Sequence, residues 1–217
     1  VNADIIVCRT EHKLSNAIKN KIALFCNVKN EAVIESIDAE TIYDVPILMQ
    51  KERLDKEVLK KLGLSTIKSS KMDRWRVFLD KLKNSNITVR IGLVGKYVEL
   101  QDSYKSILES LIHAGVANEV KVKIITIHSE SINDTNLNEL LVKLNGIIVA
   151  PGFGERGIEG KIKAIRYSRE NRIPFLGICL GMQMAVIEYA RNVLKLEDVN
   201  STEMKENCKN PIISLME

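Results

Sequence analysis

Strand-like and helix-like segments alternate regularly along the chain after residue 86. The strand-like segments are short and apolar: VRIGLVGKY, VKVKIITI, GIIVA and IPFLGI. The segments that follow them are compatible with helices: DSYKSILESLIHAG, NLNELLVKL, IEGKIKAIRYSREN and GMQMAVIEYAR. Strands that alternate with helices predict an α/β fold, in which a parallel sheet carries helices on both faces.

The first 64 residues show a less regular α/β pattern. The apolar runs ADIIVCRT and KIALFCNV predict strands, and the polar TEHKLSNAIKN between them is compatible with a helix. LDKEVLKKLGL predicts a helix that ends at Gly63. The polar run STIKSSK, a predicted helix around residues 75–82 and the polar turn KNSN come next. We therefore predict a first domain at 1–64, a linker at 65–86 and a second domain at 87–217.

The composition excludes several classes of protein. No segment approaches the roughly 20 consecutive apolar residues of a membrane span, and the N-terminus lacks the pattern of a signal peptide. The four cysteines are far apart and form no CxxC pair, so neither a zinc site nor a disulfide framework is indicated. The net charge of +4 fits small anionic ligands as well as nucleic acid. We expect a cytoplasmic protein.

The stretch PFLGICLGMQ places Cys179 between two glycines at the junction of a predicted strand and a predicted helix. The form Gly177-x-Cys179-x-Gly181 is that of a nucleophile elbow with sulfur in place of the serine oxygen. The positive end of the following helix favours the thiolate, which is the reactive form. The alternative is that Cys179 is a small buried apolar residue, as most free cysteines are. Cys8 and Cys26 lie inside apolar runs, and we interpret them in this way.

A second glycine-rich turn, APGFGERGIEGK, follows the strand GIIV and is expected at the same edge of the sheet. The N–H groups of Gly152 and Leu180 could together form an oxyanion hole. Pro151 has no N–H, so the loop's donor must be Gly152 or Phe153. The alternative is an ordinary strand-to-helix loop that uses glycine for turning.

These motifs resemble one family in particular. GICLGMQ, PGFGERGIEGK, NSTEM and VGKYVELQDSYKSILESL are similar to the class-I glutamine amidotransferase domain of the CTP synthase family. ADIIVCRTEHKLSNAIKNKIALFCNV and VIESIDAETIYDVPILM resemble the end of that family's ATP-dependent amidoligase domain. The resemblance implies a flavodoxin-like second domain, preceded by the C-terminal part of a P-loop-like α/β synthetase domain.

The resemblance also implies an activity. The family makes CTP from UTP, ATP and glutamine, and its glutaminase domain releases ammonia through a cysteinyl thioester. It implies ATP with Mg²⁺ as cofactor, GTP as activator and a homotetramer, with no nucleic acid or membrane as partner. No magnesium ligand is expected among these residues.

Site residues follow from the resemblance, motif by motif. Cys179 resembles the nucleophile, and Glu203 of NSTEM the group that holds the amino group of glutamine. Lys21 resembles a UTP/CTP-binding lysine. The alternatives are a solvated loop carboxylate for Glu203 and a surface lysine for Lys21. The remaining assignments are the glutamine-pocket residues Gly152, Leu180, Gly181, Met182 and Gln183, the ATP-binding residues Arg9, Ile37, Asp38 and Ala39, and the GTP-responsive lid residues Arg156, Gly157 and Glu159.

A cysteine nucleophile needs a base, which is usually a histidine. The histidines His12, His113 and His128 all precede Cys179, whereas the family's His-x-Glu pair lies far beyond the elbow. No G-x-x-x-x-G-K-[ST] phosphate loop occurs either. We therefore expect an internal fragment that is itself inactive. Three alternatives stay open: a stand-alone flavodoxin-like cysteine hydrolase that uses His128 as base, another class I amidotransferase, and a non-enzymatic binding or assembly module.

Overall fold

The computed structural model describes residues 2–64, 71–100 and 102–214. The chain divides into two compact units, residues 1–83 and residues 84–217. None of the helices in the described ranges is both long enough and apolar enough to cross a membrane. Residues 65–70 of the predicted linker lie outside the described residues, and residues 73–84 form a helix. The predicted domain limits stay predictions.

The first unit contains a pair of parallel strands and four helices. Strands β1 (Ile6–Thr10) and β2 (Val33–Ile37) pair from Ile6 and Val33 to Thr10 and Ile37. The helices are α1 (Asn16–Phe25), α2 (Val45–Lys51), α3 (Leu54–Lys61) and α4 (Asp73–Asn84). Short 3-10 turns at Asn30–Ala32 and Ile42–Asp44 precede β2 and α2.

The prediction of a strand at KIALFCNV was wrong, because most of this run belongs to α1. Ser15 caps the helix, and its Oγ accepts a hydrogen bond from the Ile18 N–H at 3.3 Å. The helix continues to Phe25 with Ala23 as its one buried residue, while Leu24 and Phe25 are 79% and 78% exposed. A short apolar run has no periodicity that separates a strand from the last turns of a capped helix.

Helix α4 packs on the rest of the first unit through aromatic side chains. The Trp75 indole N–H donates to the Tyr43 carbonyl at 2.8 Å. The Trp75 ring stacks on Phe78 with a centroid distance of 5.3 Å, and Phe78 lies 5.2 Å from the Tyr43 ring. Since aromatic pairs stabilise packing by about 0.5–1.5 kcal/mol each beyond their buried area, the contacts of Trp75 and Phe78 with Tyr43 help to hold α4 on the rest of the unit.

The second unit is built on a four-stranded parallel sheet in the order β4-β3-β5-β6. Its strands are β3 (Ile87–Gly95), β4 (Val120–His128), β5 (Gly146–Val149) and β6 (Phe175–Gly177). Its helices are α5 (Lys105–Ala117), α6 (Leu137–Leu141), α7 (Ile158–Glu170) and α8 (Leu180–Asn192). A 3-10 turn at Ser129–Ser131 follows β4, and strands β7 (Val199–Ser201) and β8 (Asn210–Ile213) form a separate parallel pair.

Successive residues of the central strands point to opposite faces of this sheet, and each face has its own apolar core. Val94 packs with residues of α7 and α8, whereas Leu93 packs with Tyr104 and with Ile107 and Leu108 of α5. The alternation follows from the two-residue period of a strand. Helices therefore cover both faces, as the sequence predicts.

Candidate active site

Cys179 occupies a sharp turn between the end of β6 and the first residue of α8. Its backbone has φ 52° and ψ −110°, which L-residues rarely adopt, and its side chain is exposed. A conformation of this kind costs on the order of 1–3 kcal/mol and is found chiefly where the surroundings enforce it. The predicted alternative, a buried packing cysteine, does not fit the exposed side chain.

The two glycines beside Cys179 allow the backbone to turn within a crowded space. A Cβ on Gly177 would lie 2.6 Å from the carbonyl carbon of Gly181. A Cβ on Gly181 would lie 2.2 Å from the Val149 oxygen. Because both contacts are with backbone atoms, which cannot rotate away, neither position tolerates a side chain without movement of the sheet or of α8.

The loop after β5 lies directly beside this turn. A Cβ built on Gly152 would be 3.7 Å from the Leu180 Cδ2 atom, so these residues are neighbours. Within the described part of the chain, neither the Gly152 N–H nor the Leu180 N–H is engaged in a hydrogen bond. Both groups are therefore free to donate to a ligand atom at the elbow.

Two buried lysines hold this loop, and the sequence analysis missed both. Lys161 of α7 is 0% exposed, and its Nζ donates to the Ala150 oxygen at 3.0 Å. Lys96, directly after β3, is 4% exposed, and its Nζ donates to the Phe153 oxygen and, at 2.9 Å, to the Gly154 oxygen. Lysine is usually a surface residue, so only the apolar surroundings in LVGKY and GKIKAI could have suggested burial.

Burial and neighbouring charges lower the pKa of both lysines. For Lys161, burial is the main cause, the positive charge of Lys96 adds to it and Cys179 opposes it, so that the pKa falls to about 8. The pKa of Lys96 is lowered by burial and by Arg156, against the opposing effect of Glu130 and Glu203. A buried ammonium without a carboxylate partner is the expected cause of such a shift.

Glu203 reaches the same loop from the segment after α8. Its Oε1 accepts a hydrogen bond from the Gly154 N–H at 3.3 Å, and its own N–H donates to the Ser201 Oγ at 3.2 Å. The side chain of Glu203 is exposed. The structure thus brings Cys179, Gly152 and Glu203 to one edge of the sheet, although their segments are far apart in the sequence.

Of the predicted lid residues, Arg156 and Gly157 directly precede α7 and Glu159 lies in its first turn. Arg156 forms an ion pair with Glu130 at 2.9 Å. Gly157 has φ 74°, and a Cβ there would lie 2.3 Å from the Ser129 Oγ. Glu159 pairs with Arg191 of α8 at 3.0 Å. These contacts attach the segment to the end of β4 and to α8.

Within the second unit, neither His128 nor His113 lies beside the elbow. His128 ends β4, and its Nδ1 accepts a hydrogen bond from the Glu130 N–H at 3.3 Å. Because β3 and β5 separate β4 from β6, the ends of β4 and β6 are roughly 14 Å apart at the usual strand spacing. His113 lies on α5, which covers the sheet face opposite α7 and α8, and His12 lies in the first unit.

The residues expected to bind nucleotides in the first unit lie in two places, at the ends of β1 and β2 and on α1. Arg9 on β1 and Asp38, which directly follows β2, form an ion pair at the carboxyl ends of the two paired strands. Ile37 and Ala39 flank Asp38, whereas Lys21 is an exposed residue of α1. No group of three or more His, Cys, Asp or Glu residues in the described ranges could hold a metal ion.

Comparison with known proteins finds a family profile that matches residues of each unit. The profile of the family described as glutamine amidotransferase class-I matches residues 99–212, which is more than half of the chain. The chain belongs to the class-I glutamine amidotransferase family. The profile described as CTP synthase N-terminus matches residues 1–64, so the amidotransferase region follows a region typical of CTP synthases.

Several relatives of this amidotransferase are CTP synthases. The chain is 64% identical to CTP synthase of Christiangramia forsetii, 63% identical to that of Flavobacterium johnsoniae and 54% identical to that of Methanocaldococcus jannaschii. Each match includes 100% of this chain but 40%, 40% and 41% of the respective relative. The chain thus spans about two fifths of the length of these relatives.

A solved structure supports the fold of the amidotransferase unit. The glutaminase domain of Trypanosoma brucei CTPS with bound acivicin matches 59% of this chain and 50% of that chain, with 39% sequence identity and a TM-score of 0.55. The parallel sheet with helices on both faces is therefore that of a class-I glutaminase domain.

Proposed function

We propose that this chain is part of a CTP synthase, which aminates UTP to CTP with ATP and with ammonia released from glutamine by the second unit. The observation that carries the proposal is the strained elbow at Cys179 in a chain that matches CTP synthases along its whole length. Cys179 is the nucleophile of this reaction.

The chemistry proceeds through two steps at one carbon atom. The Cys179 thiolate attacks the carboxamide carbon of glutamine, the C–N bond breaks, and the protonated nitrogen leaves as ammonia. Water then attacks the thioester, which yields glutamate and restores the thiol. Negative charge develops on the carbonyl oxygen in both steps, and the N–H groups of Gly152 and Leu180 would stabilise it, each by about 3 kcal/mol.

The glutamine pocket would lie between the elbow and the loop after β5. The segment from Leu180 to Gln183, which includes Gly181 and Met182, would line one side. Glu203 would bind the ammonium group of the substrate, because a carboxylate is the natural partner of that charge. Its contact with Gly154 supports this assignment.

The first unit would contribute to the nucleotide sites of the whole protein. Lys21 would contact UTP or CTP, and ATP would lie near Arg9, Ile37, Asp38 and Ala39, where the strand ends form a common edge. Its Mg²⁺ would be held by other parts of the protein. GTP would act through the lid residues Arg156, Gly157 and Glu159, and the protein would be a cytoplasmic homotetramer.

Selective labelling of Cys179 by acivicin, a chlorinated amino-acid analogue of glutamine, tests the proposal. The sulfur displaces chloride, and the thiol proton passes to water. Peptide mass mapping should find the adduct on Cys179 and not on Cys8, Cys26 or Cys208, and glutamine should slow its formation. Equal labelling of all four cysteines, without protection by glutamine, would contradict the proposal. The Cys179→Ser variant is the control.

The alternative hydrolase that recruits His128 is not favoured by the structure. Two strands lie between β4 and β6, and the His128 Nδ1 is already engaged with Glu130. A general base must lie within hydrogen-bond reach of the proton that it takes.

A further inference from the structure

Lys96 and Lys161 are buried cations that the proposed chemistry does not use, and both bind the loop that would supply the oxyanion donor. They extend from different elements, since Lys96 follows β3 and Lys161 lies in α7. Their Nζ atoms engage three carbonyl oxygens of the loop, those of Ala150, Phe153 and Gly154. A loop held at three carbonyls has little freedom to rotate its peptide groups.

The Nζ of Lys161 lies beside Gly152 of this loop. This atom is 3.5 Å from the position of a Cβ on Gly152, and that position is 3.7 Å from Leu180. Because Leu180 directly follows Cys179, the ammonium of Lys161 lies near the elbow, and a Cys179 thiolate would favour its charged form. The interaction is mutual, and the ammonium equally favours negative charge at the elbow.

Lys96 acts on the opposite end of the same loop. It binds the carbonyl of Phe153, while the N–H of the same peptide group, that of Gly154, donates to Glu203. One peptide group is thus held between a cation and a carboxylate. The orientation of this peptide group directs its N–H toward the carboxylate of Glu203.

No carboxylate contacts either ammonium within hydrogen-bond distance in the described ranges. Burying such charges is costly, and a chain selected for stability alone gains more from an apolar side chain of the same size. Both lysines therefore fit a role at the site better than a role in packing.

We propose that Lys161 and Lys96 are positioning residues of the Cys179 site, in which Lys161 places positive charge behind the elbow and Lys96 fixes the part of the loop that contacts Glu203. The proposal rests on the glutaminase function proposed above. It assigns different effects to the two side chains, because one acts on the reacting sulfur and the other on the binding of the amino acid.

The test compares two alkylating reagents on the intact chain and on three variants. Iodoacetamide reports the reactivity of the thiol and needs no pocket, whereas acivicin must also bind as an amino acid. The variants are Lys161→Met, Lys96→Met and the control Lys163→Met. Lys163 lies on the same helix as Lys161 but pairs with Asp134 at 2.7 Å. Peptide mass mapping gives the rate at each cysteine, and Cys8, Cys26 and Cys208 serve as internal references.

In Lys161→Met, we expect iodoacetamide to alkylate Cys179 about fivefold to tenfold more slowly at neutral pH, and the pH profile of this reaction to move to higher pH. The other cysteines should keep their rates. In Lys96→Met, the rate with iodoacetamide should change less than about twofold, while the acivicin concentration for half-maximal rate rises about tenfold. Lys163→Met should match the unmodified chain with both reagents.

A Lys161→Met rate equal to that of Lys163→Met overturns the role of Lys161. Faster alkylation of all four cysteines also overturns it, because that result is the mark of a residue needed only for folding. An unchanged acivicin profile in Lys96→Met overturns the role of Lys96. If the unmodified chain shows no saturable reaction with acivicin, the proposed function and the role of Lys96 fail together, and the iodoacetamide rates still decide the role of Lys161.

Discussion

The Gly154 N–H donates a hydrogen bond to the Oε1 atom of Glu203 at 3.3 Å, across 49 residues of sequence. This contact joins the loop after β5 to the segment after α8. It places a carboxylate at the edge of the sheet where Cys179 is exposed.

Replacing Glu203 with Gln should weaken the binding of an amino acid without changing the thiol. The variant keeps the size of the side chain but loses the charge that would bind an ammonium group, and hydrogen bonds to charged groups contribute about 1.5–3 kcal/mol. We expect the acivicin concentration for half-maximal labelling of Cys179 to rise at least about tenfold. The rate with iodoacetamide should stay the same. Glu206→Gln, an exposed neighbour, is the control, and an equal effect in both variants would contradict the role of Glu203.

Replacing Gly181 with Ala should destabilise the second unit. The new Cβ would lie 2.2 Å from the Val149 oxygen, so α8 or β5 must move, and overpacking of this kind costs about 1–3 kcal/mol or more. Gly152→Ala is the matched control, since its Cβ would meet no atom closer than 3.5 Å. Thermal unfolding followed by circular dichroism should show a clear fall in melting temperature for Gly181→Ala alone. Similar melting temperatures for the two variants would show that the elbow is less crowded than its geometry indicates.

Replacing Cys179 with Gly should stabilise the chain. The backbone at this position has φ 52° and ψ −110°, which glycine adopts without a Cβ clash, so about 1 kcal/mol or more of strain is relieved. Cys179→Ala keeps the Cβ and should keep the strain. Urea unfolding of the two variants measures the difference. A Gly variant less stable than the Ala variant would contradict a strained elbow.

Replacing Lys161 with Met should change how stability depends on pH. Burial lowers the pKa of Lys161 from 10.5 to about 8, which corresponds to a cost of about 3 kcal/mol at neutral pH. Between about pH 8 and 10.5 the unfolded chain binds more protons than the folded chain at this residue, so the free energy of unfolding contributed by Lys161 rises with pH over that range.

The Met variant lacks this contribution. We expect it to be as stable as the unmodified chain or more stable at about pH 7, with the advantage shrinking toward about pH 10. Urea unfolding at both pH values gives the two free energies. Lys163→Met controls for the loss of a lysine elsewhere on α7. Strong destabilisation of the Met variant at neutral pH would contradict this prediction, because it would show that the Lys161 side chain stabilises the fold.

The chain alone should release no more ammonia from glutamine than its Cys179→Ser variant. Among the described residues of the second unit, no histidine lies beside Cys179 to transfer the protons of the two steps. A coupled assay for ammonia measures the difference. Robust turnover that depends on Cys179 would refute this expectation, and a further loss in His128→Ala would restore the alternative base.

The sequence was sufficient for the features that depend on local spacing. The alternation of apolar and helix-compatible segments after residue 86 predicts the parallel sheet, because each segment can bury its apolar side only against the others. The pattern Gly177-x-Cys179-x-Gly181 predicts the sharp turn, since only glycine fits where two backbone segments come so close. Both predictions were confirmed in the structure.

Tertiary structure decided what depends on neighbours from distant segments. The helix at KIALFCNV is an exception, because a local contact explains it: Ser15 caps α1 three residues before Ile18. The order of the strands places His128 far from Cys179, although both follow strands in the sequence. The burial of Lys96 and Lys161 arises only when the loop after β5 closes over their ammonium groups. Spacing along the chain determines the elements and the turn at Cys179, whereas the charges around that turn depend on which segments the fold brings together.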